Sequence, residues 1–224
     1  MALVDNILAQ YKFDNGSYTT DSVNSYTLNA KTSTQQSSGF IGYCGSGQAL
    51  SYSGNYGLTG TSDFSISMWI KFTSEISSGG CGLLFIGSKL TTDRFLSMDY
   101  EYNSGTRRLN FYNSSNSSSA TYNVALGTSW HHLVISRSSG SANVYLDNSL
   151  VMSGVSQGVA NGIQNTLTIG YGKSYPGIAT YYYDEIIPFA RALSSGDVSE
   201  LYNSGAGLQY PFTTANTTNF FQFF

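Results

Sequence analysis

A chain of 224 residues with a formal net charge of −3, only 10% charged and 15% aromatic residues, suits one all-β unit with a full core. Charges this sparse build no basic stripe to track a phosphate backbone, so nucleic acid is excluded as an expected partner. The aromatic content and 24 glycines point to many short strands joined by tight turns rather than to disorder.

The opening stretch, MALVDNILAQYKF, has an apolar run broken by Asp5 and Asn6 and no cation before Lys12, so it does not read as a signal peptide. No apolar stretch approaches the roughly 20 residues that cross a bilayer, and no membrane insertion is expected. The expected location is extracellular or on a virion surface, reached either after removal of a presequence or by another route such as assembly into a virus particle and release by lysis. Cys44 and Cys81 are too few for a disulfide framework and are expected to be unpaired thiols.

In DFSISMWIKFTS, Phe64, Ile66, Met68, Ile70 and Phe72 share one strand face, and Ser65, Ser67, Trp69 and Lys71 share the other. RFLSMDYEY alternates likewise, with Leu96, Met98, Tyr100 and Tyr102 expected inward and Phe95, Asp99 and Glu101 outward. Further runs follow at RRLNFYN, ATYNVAL, WHHLVIS, ANVYLD, SLVMSG and NTLTIGYG, divided by turn signals such as NSG, SSGS and LDNS. Even spacing of this kind predicts an antiparallel sandwich. One helix is predicted in RALSSGDVSELYNSG: Ser194 is the N-cap, Asp197 completes a capping box, and Leu193 and Val198 form a hydrophobic staple. Val198, Leu201 and Tyr202 give it an apolar face, and Gly205 is its expected left-handed stop. The division is then a domain over residues 1–209 and an aromatic tail over 210–224. In that tail Phe220, Phe221, Phe223 and Phe224 either add an edge strand to their own sandwich or dock into another subunit or virion protein.

Both histidines lie in SWHHLVISR. Successive strand side chains point to opposite faces, so His131 and His132 diverge and cannot serve one site together. Packed, hydrogen-bonded imidazoles are expected. His132, in phase with Trp130 and Val134, is the one carried forward as a candidate ligand contact. Trp69 either lines an open sheet face, where its ring could stack on a sugar, or lies buried under a loop.

In this order the stretches resemble the laminin G-like jelly rolls of the concanavalin A-like lectin and glucanase superfamily, over residues 9 to 205. QYKFDN is similar to the opening Tyr-x-Phe-Asp segment, GQALSYSG to the glycine-led second motif, and DFSISMWIKFTS to the Phe-x-Ile-x-x-Trp strand. SWHHLVISRSSGSANVYLDNSLV resembles the Trp-His-His hairpin with its Tyr-x-Asp turn, LTIGYG the next strand, and YYYDEIIPFARALSSGDVSELYN the closing strand and helix. The resemblance implies an all-β, antiparallel jelly-roll sandwich with one short helix near the C-terminus. It also implies histidines with structural roles. This fold hosts both binders and hydrolases, so function must come from the residues.

Glycoside hydrolysis normally needs two carboxyl groups about 5 to 10 Å apart. Glucanases of this superfamily carry Glu-x-Asp-x-x-Glu or Glu-x-Asp-x-Glu on one strand, whereas this chain has only Asp99 and Glu101, with Ser97 and Asn103 at the next outward positions. No enzyme activity is expected. Asp99, Glu101 and Arg108 instead join Trp69 and His132 as candidate ligand contacts. The resemblance also implies that calcium could sit at the sandwich rim with Asp184 as a ligand, although a carboxylate capping a rim loop accounts for Asp184 equally well. No other cofactor is required. The expected function is a non-catalytic recognition or adhesion domain for a glycan or surface protein. The composition further resembles bacteriophage virion proteins that use this fold for capsid decoration or fibre heads, with other virion proteins or further copies of the chain as partners. A hydrolase with a degenerate motif and a purely structural virion component are the alternatives.

Overall fold

A computed structural model describes residues 2–14, 19–24, 26–30, 34–36, 39–41, 44–46, 50–52, 62–87, 94–113, 118–156, 167–170 and 181–212. They form two antiparallel sheets of seven strands each. The first runs β1 (Asn29–Ala30), β4 (Leu50–Tyr52), β13 (Leu167–Ile169), β6 (Gly80–Gly87), β7 (Arg94–Asn103), β8 (Thr106–Tyr112) and β9 (Ser118–Asn123). The second runs β12 (Ser149–Ser156), β11 (Ser141–Leu146), β10 (Trp130–Ser138), β5 (Phe64–Phe72), β14 (Tyr181–Phe189), β3 (Cys44–Ser46) and β2 (Thr34–Gln36).

The period-2 pattern becomes the core. Phe64, Ile66, Met68, Ile70 and Phe72 of β5 face Leu84, Ile86, Leu96, Met98 and Tyr100 of the first sheet, and all are buried. Turn chemistry pins the registers. Ser104 (φ 50°) and Gly105 (φ 86°) join β7 to β8, and Asp147 (φ 49°) and Asn148 (φ 66°) join β11 to β12. Two consecutive left-handed residues twist a hairpin in the sense of its strands, so these tight turns leave one pairing.

The outer face of β5 is buried at Ser65, Ser67 and Trp69, because a second, smaller core lies on it, and opens only at Lys71. Helix α1 (Ser195–Tyr202) packs Val198 and Leu201 against Val134, Tyr145, Ile187 and Phe189. Serines let the chain lie close here. The Ser65 hydroxyl donates to the Arg191 carbonyl at 2.9 Å and accepts the Leu193 amide at 2.8 Å, while the Ser136 hydroxyl donates to the Leu193 carbonyl at 2.8 Å. Ser194 and Asp197 form the expected capping box, and Arg191 grips Asp197 at 2.9 and 3.0 Å. The helix stop differs from expectation. Asn203 (φ 48°) is the left-handed C-cap, and Gly205 falls two residues later, because an Asn amide tolerates that region and here donates to the Gly207 carbonyl at 2.8 Å.

Candidate functional site

The β7–β8 turn places Asp99 opposite Asn110 and Glu101 opposite Arg108. On the other side of β7, Gly82 pairs with Asp99 and Gly80 with Glu101. Their strand neighbours Met98, Tyr100, Leu109 and Phe111 fill the inter-sheet core, so these polar side chains lie on the outer face of the first sheet. Gly80 is required there: a Cβ on it would come within 2.6 Å of Glu101 Cβ. Arg108 holds Glu101 through Nε at 3.2 Å and Nη2 at 3.1 Å, both to the same carboxylate oxygen.

This face is graded. Ser97, Asp99 and Asn110 are 2%, 3% and 0% exposed, Glu101, Arg108 and Tyr112 are half-buried, and Thr121 and Asn123 on β9 are open. Among the described residues, the Ser97 hydroxyl and both polar atoms of the Asn110 amide have no hydrogen-bond partner. A buried polar group left unsatisfied costs about 1–3 kcal/mol, so such groups call for a compensating role. Of the candidates read from the sequence, Asp99, Glu101 and Arg108 converge here. Asn110 was missed, because in RRLNFYN it reads as an ordinary outward polar residue. Only the register with Asp99 reveals it.

Trp69 and His132 belong to the other sheet, directly opposite each other on its outer face. Trp69 does not line an open face. Its ring stacks on Phe40 at 3.6 Å between centroids and 12° between planes, on His132 at 4.9 Å and on Tyr202 at 5.9 Å. Gly207 closes the same side, where a Cβ would meet Phe40 at 2.6 Å and Trp69 Nε1 at 3.2 Å. His132 is sealed under this stack, with Nε2 at 2.8 Å from the Ser67 hydroxyl, and burial pushes its imidazole down to about 4. Neither side chain can touch a ligand from outside. His131 points the other way, as strand geometry required, and forms a 2.6 Å contact with Asp147.

Asp184 is fully buried beside Trp69. One carboxylate oxygen accepts the Phe40 and Ile41 amides at 2.8 and 3.2 Å, and the other accepts the Glu185 amide at 2.9 Å. It therefore fixes the segment that lids Trp69. Burial and the neighbouring Glu185 push its carboxyl up to about 9. Glu185 sits in a bulge of β14 at φ 47°, buried and contacted by the side-chain amides of Gln10 and Gln209. Burial pushes it up to about 8. Among the described residues no three His, Cys, Asp or Glu side chains converge as a metal-binding group. Cys81 is a free, buried thiol. The side chains of Cys44 and Phe95 and the tail residues Phe220, Phe221, Phe223 and Phe224 lie outside the described residues.

Residues 45–199 match the sequence profile of the concanavalin A-like lectin/glucanases superfamily. No curated protein matches the chain in sequence. Among solved structures, domain 4 of AbnA, a GH43 extracellular arabinanase from Geobacillus stearothermophilus, in complex with arabinotriose, is similar at a TM-score of 0.65 and 19% identity, over 90% of this chain and 98% of that one. Botulinum neurotoxin type C, whose interaction is with two ganglioside molecules, gives 0.66 and 14% over 89% of this chain and 51% of that one. The binding domain of botulinum neurotoxin DC, in complex with rat synaptotagmin II, gives 0.65 and 17% over 93% and 53%. The chain thus spans about half the length of the neurotoxin chains it matches. At these identities the likeness is one of fold.

Proposed function

The chain belongs to the concanavalin A-like lectin/glucanases superfamily, and from that premise we propose that it is a non-catalytic recognition domain that binds glycan on the outer face of its first sheet. The observation that carries this reading is the accessible end of this polar strip, where Glu101, Arg108 and Tyr112 are half-buried and Thr121 and Asn123 open, seated on the buried Ser97, Asp99 and Asn110. Saccharide hydroxyls are donors and acceptors at once, and the Arg108 guanidinium with the Asn123 amide opposite it offers them both roles. The strip is poorly arranged for hydrolysis. Hydrolysis needs a proton-donating acid beside a free carboxylate, whereas Glu101 is spent in its ion pair with Arg108.

Support from relatives is at the level of fold and type: an arabinotriose-bound domain and toxins that engage gangliosides or synaptotagmin share this architecture. The setting we propose is the surface of a virus particle. What supports it is composition alone, with 10% charged residues and 18 tyrosines. A glycan array probed with the isolated chain tests the reading. Binding that is lost in Arg108→Ala is expected, and a folded chain that binds nothing on the array, or turns a polysaccharide over, overturns it. Co-sedimentation with particles tests the setting.

A further inference from the structure

Beyond the buried Trp69–His132–Asp184 row, the next row of the second sheet's outer face is Trp130, Lys71 and Tyr182. These are direct cross-strand partners on β10, β5 and β14. Residues paired in this way point to the same side with Cβ atoms about 5 Å apart, so the Lys71 stem rises from between two aromatic residues. All three are half-buried, and the Phe40 ring stands against Trp130 edge-on at 5.9 Å. The Lys71 nitrogen is 6.0 Å from the Trp130 ring centroid. Among the described residues Lys71 forms no ion pair, and the Trp130 indole N–H and Tyr182 hydroxyl make no hydrogen bond. The row therefore holds three unspent donors and two ring faces on a rigid sheet, one strand step from a core that fixes it.

From this geometry we infer a second binding site, for a saccharide that bears a carboxylate, on the Trp130–Lys71–Tyr182 row. A pyranose ring lays its C–H face on an aromatic plane, and Trp130 and Tyr182 supply such planes on either side. Lys71 supplies the counter-charge for the carboxylate. The indole N–H and phenol hydroxyl are left for the sugar hydroxyls. Carboxylate sugars of the sialic and uronic kinds share this chemistry. The site is independent of the strip on the first sheet, and neither reading rests on the other.

The test titrates the full chain with N-acetylneuraminic acid, with glucuronic acid and with N-acetylglucosamine as a neutral control, followed by calorimetry and tryptophan fluorescence. At least one acidic sugar is expected to bind about tenfold or more tighter than the neutral one, the scale of a charge-assisted hydrogen bond. Whichever acid binds tighter identifies the source. Lys71→Met, which keeps the aliphatic stem, is expected to abolish the preference at an unchanged melting temperature, and Arg108→Ala to leave it intact. Equal binding of acidic and neutral sugars overturns the site, as does acid binding untouched by Lys71→Met. Acid binding lost only in Arg108→Ala would assign it to the first sheet and overturn this site alone. Loss of glycan-array binding in Arg108→Ala with the acid preference retained would uphold it.

Discussion

His131 Nδ1 lies 2.6 Å from Asp147 Oδ2, and its Nε2 lies 2.5 Å from the Leu126 carbonyl oxygen. Both ring nitrogens face acceptors, an arrangement that favours the doubly protonated imidazole and makes it a cationic clasp wherever it is charged. The other Asp147 oxygen accepts the His132 amide at 2.9 Å. The Leu126 amide donates to the Tyr100 hydroxyl at 3.0 Å, which donates to Glu75 at 3.0 Å, and Glu75 pairs with Arg107 at 3.0 Å. One polar chain thus joins the β7–β8 hairpin of the first sheet to the β11–β12 turn of the second.

This clasp sets a pH window. The hydrogen bond to Asp147 raises His131, so its contribution is fully present below about 6.5, the unfolded value, and is lost as pH rises through the higher folded value. Asp147 is lowered, chiefly by the same hydrogen bond against its burial, so its share is present above its unfolded value and fades as pH falls through the folded one. His131→Gln is expected to cost about 1 kcal/mol near pH 6, discounted for the partial exposure of both groups, and less at pH 9. Equal destabilisation at both pH values in thermal melts would contradict a charged clasp.

What the sequence displayed, and what it hid, divides along one physical line. Alternation in DFSISMWIKFTS located the inter-sheet face because a period of 2 reports which residues share a side. It did not report that Ser65, Ser67 and Trp69 are buried as well, since their cover comes from residues 40–41, 191–193 and 202–207, far away in the chain. The capping box was legible because it is local. Convergence of Asp99, Glu101 and Arg108 was half legible, since the NSG signal marked a turn while Asn110 needed the exact register. The Trp130–Lys71–Tyr182 row joins three strands and has no local signature.

Asp184 and Glu185 should make the fold lose stability as pH rises. Burial raises them to about 9 and about 8, so between their unfolded values and these the folded chain binds more protons than the unfolded one. The contribution is complete below about 4 and disappears through pH 8 to 9. Glu185→Gln is expected to flatten this alkaline decline when melts are taken from pH 5 to 9.5. An unchanged slope would remove Glu185 as its source.

Cys81 should be inert in the native chain. Its thiol is buried, and that burial, aided by Asp99, pushes it up to about 12. The nucleophile is the thiolate, which is then scarce at neutral pH and out of reach. Alkylation with iodoacetamide at pH 8 is expected to spare Cys81 until denaturant is added, as read by peptide mass mapping. Rapid native labelling of this position would refute the packing around β6.

The Asn110 amide offers the sharpest separation of stability from recognition. Both of its polar atoms are buried without a partner among the described residues, so the fold bears their desolvation with no hydrogen bond in return. Leucine has a similar size and no such demand. Asn110→Leu is therefore expected to raise stability by about 1–2 kcal/mol, a melting shift of roughly 2–6 °C for a chain of this length, while leaving in place the glycan binding made by the accessible Arg108. Asn110→Asp is expected to do the reverse to the fold, because it places an unpaired buried charge directly opposite Asp99 and should cost about 3 kcal/mol or more at neutral pH. Destabilisation by leucine would mean that the amide is satisfied in solution. A stabilised leucine variant that loses glycan binding would show that the buried amide shapes the face that Arg108 presents.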